Sequence, residues 1–290
     1  NELMSEPDGP MLMLIVAFRP ETDTRAALLT LRSSLATSRR DIETIEVGPL
    51  RDEDVQSLMN QLLNGANEKL LAQALTSANG NPFHIGELVR GGEPEHSSTQ
   101  LDELVARRVR RLEAPSRRLL QIIAVAAGPI RIDQVAQVES GESDARVRQI
   151  LGELHRDGMI QLDDAEWVEC AHDRIRETVV SDLAPSRLRE QHLQLGEVIE
   201  RGRGEFEVLL EHFEQGGDDV KAASYAAKAG SVAYESFAFD RAVELLRRSL
   251  SLDSSPGPQE ISHRRRLLAD ALNDVGRGKE AAHLWLAIAK

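Results

Sequence analysis

Four short motifs in this sequence carry residue types that could contact a phosphate or a nucleotide base. They are Arg19 after the apolar run Met11–Phe18, the turn Gly80–Pro82, the single residue His172, and the segment Gly276–Glu280, which contains a Gly-Lys pair. A guanidinium or an imidazole can hold a phosphate, and Gly-Lys occurs in the phosphate-binding loop of P-loop ATPases. These motifs are therefore the candidates for a nucleotide site, and each also has a structural interpretation.

Arg19 stands at the carboxyl end of a predicted buried strand, which is where open α/β sheets bind their ligands. Its guanidinium could sense a phosphate there, or it could be a solvated charge that ends the strand. Pro82 could place a rigid ring against a base. It could also simply restart a helix after a stop at Gly80, because proline at the first helical position loses no hydrogen bond.

His172 directly follows the second of two predicted short strands and precedes Asp173. The acid could cap the next helix or fix the tautomer of the imidazole. The segment Gly276–Glu280 (GRGKE) lacks both the hydroxyl residue and the preceding strand of a phosphate-binding loop, so we interpret it as a turn between helices.

The patterns of the common catalytic and metal sites are absent from the sequence. It contains no H-E-x-x-H, no G-x-S-x-G and no kinase loop, and its eight histidines have no ligand spacing. The single cysteine, Cys170, excludes an internal disulfide and suits a reducing cytosol. We therefore predict no catalytic residue and no metal ligand in this chain. Whether the intact protein is an enzyme stays open.

Composition narrows the class of protein. The chain has 290 residues, of which 41% are hydrophobic and only 3% aromatic, so it is long enough for two or three domains built mostly from packed helices. Its net charge of -13 repels nucleic acid and anionic lipid. The longest apolar run is Met11–Phe18, which is too short to span a bilayer. We expect a soluble, cytoplasmic chain, excised from a longer protein.

Hydrophobic periodicity divides the chain into four segments. Met11–Phe18 is typical of a strand buried on both faces, and Ile42, Ile45 and Val47 mark a second, weaker strand. A helical pattern lies between them, which predicts the edge of an α/β layer. Residues 51–92 show three short helical patterns, ending at the linker Gly91–Pro94. The next segment predicts helices broken at Ala114-Pro115, two more helices up to Arg156, and then a β-hairpin. Together these elements are typical of a winged helix-turn-helix.

Beyond Pro185 the chain is helical and contains an internal repeat. Phe239–Leu250 aligns with Gly278–Ala289, placing Ala242 on Ala281, 39 residues apart. Because the tetratricopeptide period is about 34 residues, we predict a tetratricopeptide-like array with an insertion in the intervening turn, truncated at Lys290.

Five segments, taken in order, resemble the signal-transduction ATPases with numerous domains, the STAND branch of the AAA-type P-loop ATPases. They are AFRPE (17–21), IEVGPLRDEDV (45–55), ANGNPFHIGELV (78–89), RRLEAPSRRLLQIIAVAAG (110–128) and AHDRIRETV (171–179). Bacterial members are often fused to Ser/Thr kinases, adenylate cyclases or transcription regulators.

The resemblance implies a mainly α chain with four parts. Residues 1–50 would be the C-terminal part of an α/β nucleotide-binding domain, 51–92 its helical lid, 93–185 a winged-helix domain and 186–290 a tetratricopeptide-like α-solenoid. It also implies a nucleotide switch, whose P-loop and magnesium-binding strand lie upstream of a segment like this one. ATP or ADP with Mg²⁺ would bind in the intact protein and not tightly to this segment alone.

The resemblance assigns roles to four residues. Arg19 matches the arginine that closes the sensor strand and feels the γ-phosphate. Gly80 and Pro82 match the lid motif, in which the proline packs near the adenine. His172 matches the winged-helix histidine that holds the diphosphate of ADP and locks the closed state.

The implied partners are a protein or peptide on the helical-repeat arm and the upstream P-loop domain of the same chain, with oligomerisation as an accompaniment of activation. Two alternatives remain. One is a transcription regulator whose winged helix reads DNA, which the mixed charges of Asp144–Asp157 oppose. The other is a repeat scaffold that binds no nucleotide.

Overall fold

The computed structural model describes residues 15–17, 43, 45–63, 67–91, 101–163, 166–252 and 257–289. The chain divides into two compact units, Asn1–Arg51 and Asp52–Lys290. Helices dominate the second unit, and the helices and strands given below all belong to it.

The described residues of the first unit do not confirm the two predicted strands. Residues 15–17 and 45–50 have no regular secondary structure, and Ile45 and Val47 are 77% and 93% exposed. A strand is stable only when a neighbour pairs with its backbone groups, and no strand among the described residues pairs with this segment. Arg19 and the remainder of Met11–Phe18, apart from 15–17, lie outside the described residues.

Three short helices open the second unit, as the periodicity predicted: α1 (Asp52–Leu62), α2 (Glu68–Ser77) and α3 (Pro82–Gly91). Acidic side chains fill the first turn of α1, where they complement the helix dipole. Asn67 caps α2 by accepting a hydrogen bond from the Leu70 N–H at 3.1 Å. Val55 and Met59 are buried, as are Ile85 and Leu88 on α3, and α1 packs against α3. We call this segment, residues 52–91, the lid, after the part that the resemblance predicts for residues 51–92.

The next elements form a helical layer with a small sheet, which we call the middle segment (residues 101–183). Their order is α4 (Leu101–Arg111), α5 (Ala114–Ala126), β1 (Ile130–Arg131), α6 (Ile132–Glu139), α7 (Asp144–Arg156), β2 (Ile160–Leu162), β3 (Trp167–Cys170) and α8 (Asp173–Ser181). The antiparallel sheet has the order β1-β3-β2, with Ile130 opposite Val168 and Ile160 opposite Cys170.

The predicted helices and hairpin of this segment are confirmed, and α7 buries the four residues that its period assigned to the inner face: Val147, Ile150, Leu151 and Leu154. The prediction missed β1, since two residues are too few to show a period. Helix α5 lies at the centre of this core, and six of its thirteen residues are buried.

Six helices complete the chain and form what we call the arm. They are α9 (Pro185–Arg201), α10 (Phe206–Gly216), α11 (Asp219–Glu235), α12 (Phe239–Leu252), α13 (Pro258–Asp274) and α14 (Gly278–Ile288). Each helix packs on the next, and α9 also packs on α5 and α6 of the middle segment. The arm is therefore a stack of three helical hairpins anchored at its first helix.

Glycine allows the close approach of α11 and α12. A Cβ at Gly230 would lie 2.7 Å from Cγ of Leu246, which is closer than packed atoms tolerate. The internal repeat is confirmed at its small residues, since Ala242 and Ala281 are both buried. It differs at the large ones: Leu246 is fully buried, whereas Trp285, its counterpart on α14, is 42% exposed.

The predicted boundary at Gly91–Pro94 lies at the edge of the described residues, and residues 52–290 form one compact unit. The four-part division therefore stays a prediction. Within the described residues, every helix is too short or too polar to cross a bilayer.

Candidate functional site

The turn before α3 is built from two residues that tolerate the left-handed backbone. Asn79 has φ 47° and Gly80 has φ 66°, and the Asn81 N–H returns to the Ala78 carbonyl at 2.8 Å. Asparagine and glycine are the residues that adopt this conformation most readily. The Gly80 interpretation as a helix stop is therefore confirmed, and its proposed part in a nucleotide site stays a prediction.

Pro82 begins α3, as its restricted φ favours. Asn81 caps this helix, because its Oδ1 accepts a hydrogen bond from the His84 N–H at 3.1 Å. Pro82 is exposed, so its ring presents an apolar surface at the N-terminus of α3.

His172 is the N-cap residue of α8, as Asn81 is of α3. Its backbone is extended, with φ -158° and ψ 145°, and its Nδ1 accepts a hydrogen bond from the Arg174 N–H at 3.1 Å. Because Nδ1 is an acceptor, the ring proton of the neutral imidazole lies on Nε2. The N-cap is thus the imidazole itself and not the neighbouring Asp173, which the sequence pattern allowed as a cap.

The lid motif and the histidine meet through an aromatic stack. The rings of Phe83 and His172 are parallel within 10°, with their centroids 3.9 Å apart. Phe83 follows Pro82 directly, so the stack joins the N-terminal turn of α3 to the start of α8. Held by the stack on one face and by the Arg174 N–H at Nδ1, the imidazole has a defined orientation.

A buried ion pair joins the same two segments at the other end of α3. The Glu87 side chain is fully buried, and Arg108 on α4, only 10% exposed, bonds to both of its carboxylate oxygens. Arg108 also donates to the Asp157 carbonyl at the end of α7. Arg90 adds a second contact to Glu87 at 3.2 Å.

Gly158 lets the Arg90 guanidinium approach the end of α7. Its φ is 69°, and a Cβ there would lie 3.1 Å from the Arg90 Cζ. The lid and the middle segment are therefore held together at both ends of α3, by a stack at one and by hydrogen-bonded charges at the other.

An open cleft of about 440 Å³ lies between α4 and α8, close to His172 in sequence. Its lining carries four carboxylates, those of Asp102, Glu103, Glu177 and Asp182. The single cation among the lining residues, Arg174, lies 3.8 Å from Asp102 and 3.5 Å from Glu177. A phosphate would be repelled here, so this cleft does not suit a nucleotide.

The thiol of Cys170, two residues before His172, is unsuited to act as a nucleophile. Burial raises the pKa of the Cys170 thiol from 9.0 to about 12, so the nucleophilic thiolate is scarce at neutral pH. Across the residues that the structure describes, no three or more His, Cys, Asp or Glu side chains are grouped to hold a metal.

The described fold, with its helical segments, small sheet and stacked hairpins, has a solved counterpart. It is similar to the structure of the Signal Transduction ATPase with Numerous Domains (STAND) protein with a tetratricopeptide repeat sensor from Pyrococcus horikoshii. The likeness has a TM-score of 0.52 at 14% identity and covers 85% of this chain. At this identity it establishes the fold, and the predicted mainly α architecture is confirmed.

The chain spans 42% of the length of that solved protein. No protein-family model matches the sequence, and no curated protein does. The structural likeness therefore supports the resemblance read from the motifs, and it assigns no role to any single residue.

Of the four predicted site residues, the structure brings two regions together: the turn of Gly80 and Pro82 reaches His172 through Phe83. Sequence reasoning did not select Phe83, although its position directly after Pro82 was a usable signal. It also did not select Glu87 and Arg108, because a pair 21 residues apart on different helices leaves no pattern in the sequence.

Proposed function

We propose that this chain is the regulatory segment of a STAND-type nucleotide-switch ATPase, with the middle segment as its winged-helix domain. In the intact protein it couples the ADP or ATP state of an upstream P-loop domain to a signal read by the arm. The observation that carries this proposal is the Phe83–His172 stack, because it joins the two motifs that the family uses to close over a nucleotide.

The residues present suit one part of a nucleotide site. A proton on Nε2 of His172 is the form in which an imidazole donates to a phosphate oxygen, and Pro82 offers an exposed apolar ring to a base. The sequence has no G-x-x-x-x-G-K-[ST] loop, so the main phosphate cradle and the Mg²⁺ site belong to the upstream domain in this proposal. The bound nucleotide supplies the negative charge that His172 recognises.

The contacts indicate what each of the chain's own residues would do in this switch. Phe83 and the Arg174 N–H orient the imidazole before nucleotide arrives, which lowers the entropic cost of the contact. Glu87 and Arg108 hold α3 to α4 without any nucleotide. Loss of ADP therefore removes the phosphate contact of His172 while the lid and the middle segment stay joined.

The arm is the sensor in this proposal, because the solved STAND protein with the same fold carries a tetratricopeptide repeat sensor. Stacked helical hairpins offer an extended surface to a protein or peptide. Helix α9 packs on α5 and α6, so a change in the arm has a direct route to the core of the middle segment.

Calorimetric titration with ADP tests the proposal, using a chain extended upstream through its P-loop. His172→Ala removes a hydrogen bond to a charged group, which is worth about 1.5–3 kcal/mol, so we expect ADP binding to weaken by roughly tenfold to a hundredfold. The basal activity of the fused effector should rise, because the closed state is less populated.

His283→Ala is the matched control, since His283 is an exposed histidine on α14, far along the chain from the stack. It should leave ADP affinity unchanged. Unaltered ADP affinity and basal activity in the His172 variant would show that the histidine is a helix cap and a packing residue only.

A further inference from the structure

Four of the turns that join helices of the arm share one hydrogen-bond geometry. In each of these four, an N–H just past the helix returns to the carbonyl three residues earlier: Arg203 to Glu200, Gly217 to Glu214, Phe237 to Tyr234 and Gly276 to Asn273. The φ values are 57°, 84°, 61° and 77° respectively. This left-handed position at a helix end is one that glycine normally fills.

Phe237 places a bulky apolar side chain where two sister turns have glycine. Its ring is 80% exposed, so burial does not compensate for the unfavourable backbone. The backbone of Arg203 is also left-handed, at φ 57°, but its side chain ends in a charged guanidinium that water solvates well.

Phe237 belongs to a chain of three rings, in which Phe239 contacts both Phe237 and Tyr234. We call these three residues, Tyr234, Phe237 and Phe239, the aromatic turn. Phe239 meets Phe237 edge-on, with centroids 6.0 Å apart, and lies 5.4 Å from the ring of Tyr234. The Tyr234 hydroxyl donates to Asp274 Oδ2 at 2.9 Å, so the cluster is tied to the end of α13.

Carboxylates border the aromatic turn. Asp274 contacts Tyr234, and Asp270 lies one helical turn before it, near enough for the two charges to interact. Glu235 and Asp240 are exposed beside the rings in sequence. The adjacent cations are already engaged: Arg241 with Glu207 and Glu244, and Arg277 with Glu280.

A second aromatic cluster of the arm, in which Phe206 is exposed while Phe213 and Tyr225 are buried, already has its cations. Lys221 lies 4.5 Å from the Phe213 centroid, and Lys228 lies 4.4 Å from that of Tyr225. Within the part of the chain that the structure describes, no cation lies over the aromatic turn. Aromatic faces bordered by carboxylates are complementary to a cation, and here the described residues supply none of their own.

We infer that the aromatic turn is a docking site for an arginine-bearing peptide segment of a partner protein. A guanidinium stacks flat on an aromatic face and also bonds to a carboxylate with its planar fork, so it suits a surface where exposed rings and carboxylates lie close together, as Tyr234 and Asp274 do. A lysine ammonium makes a point contact and is more strongly hydrated, so we expect it to bind more weakly. This rests on the part of the proposed function that makes the arm a protein sensor, and it is independent of the nucleotide switch.

Fluorescence polarisation with the full 290-residue chain tests the inference. The probes are three labelled peptides of equal length in which glycine alternates with arginine, lysine or glutamate. We expect binding in the order arginine, lysine, glutamate at about 0.15 M salt, where long-range attraction to the acidic chain is screened. Phe237→Gly should weaken binding of the arginine peptide by about tenfold or more.

Phe237→Gly leaves the net charge unchanged and installs the residue of the sister turns, so it should fold at least as stably as the parent chain. Phe206→Ala, in the cluster already covered by Lys228, is the control and should bind the arginine peptide normally. The inference is overturned if Phe237→Gly binds like the parent chain, or if the arginine peptide binds no better than the glutamate peptide. Neither result bears on the nucleotide switch, which the measurement of ADP affinity tests separately.

Discussion

The imidazoles of His192 and His212 meet between α9 and α10, with their Nδ1 atoms 3.0 Å apart. One ring donates to the other, so the accepting ring must be neutral. Burial, and then the charge of His192, lowers the pKa of His212 from 6.5 to about 4, while Glu211 opposes the shift. Burial also lowers the pKa of His192.

This pair should make the arm sensitive to acid. Because the folded pKa of His212 lies below its unfolded value, the unfolded chain binds the proton more tightly, and stability falls as pH drops below 6.5. We expect a loss on the order of 2 kcal/mol between pH 7 and pH 5, measured by urea unfolding. His212→Phe should flatten this dependence.

The exposed His283 provides the comparison, since His283→Phe should leave the pH dependence of stability as it is in the parent chain. If His212→Phe and His283→Phe lose equal stability between pH 7 and pH 5, the acid sensitivity does not come from the buried pair.

At the scale of elements, α3 is held to the middle segment by the charges of Glu87 and Arg108. A buried charge without its partner is costly, whereas a buried pair as a whole contributes little compared with apolar side chains of similar size. The role of this pair is therefore to fix how the two helices dock. We expect the free energy of unfolding to fall when one partner is replaced, and to fall little when both are replaced together.

Arg108→Met leaves the Glu87 carboxylate buried with Arg90 as its remaining partner. We expect a loss of about 3 kcal/mol in the free energy of unfolding by urea. The double variant with Glu87→Met should recover most of it. Arg110→Met is the matched control: Arg110 and Glu103 form an exposed pair at 3.4 Å, and the loss should be under about 1 kcal/mol. A double variant no more stable than Arg108→Met would contradict this account.

At the scale of the whole molecule, the net charge of the chain argues against a DNA-reading regulator and so favours the nucleotide switch. The net charge is -13, and Arg148 on α7 lies 3.0 Å from Glu166, so part of the basic character of that helix is neutralised internally. Binding to DNA depends on cations that replace the counterions of the phosphates. Helix α7 carries Arg146, Arg148 and Arg156 beside Asp144 and Glu153, so it does not present a cationic face.

We therefore expect no retardation of a random DNA duplex in a gel at about 0.1 M salt. A shift that weakens steeply as salt is raised would instead favour the transcription regulator. A basic protein of similar size, run beside the chain, confirms that the duplex is competent to bind.

Elements with a long, regular period could be predicted from the sequence. The inner face of α7, the restart of α3 at Pro82 and the break at Ala114-Pro115 all depend on local backbone preference and on the side of the helix that faces the core. The strand predicted around Ile45 is not formed in the described residues, because strand formation depends on a partner elsewhere in the chain.

The candidate site was predictable in part for the same reason. Gly80 and His172 can be selected by turn chemistry and by position, which are local properties. Contacts between distant residues, such as the Phe83–His172 stack and the Glu87–Arg108 pair, arise only when helices dock. By itself the sequence determined most of the helices and their order along the chain, while tertiary packing alone decided which side chains meet, since packing partners leave no period in the chain.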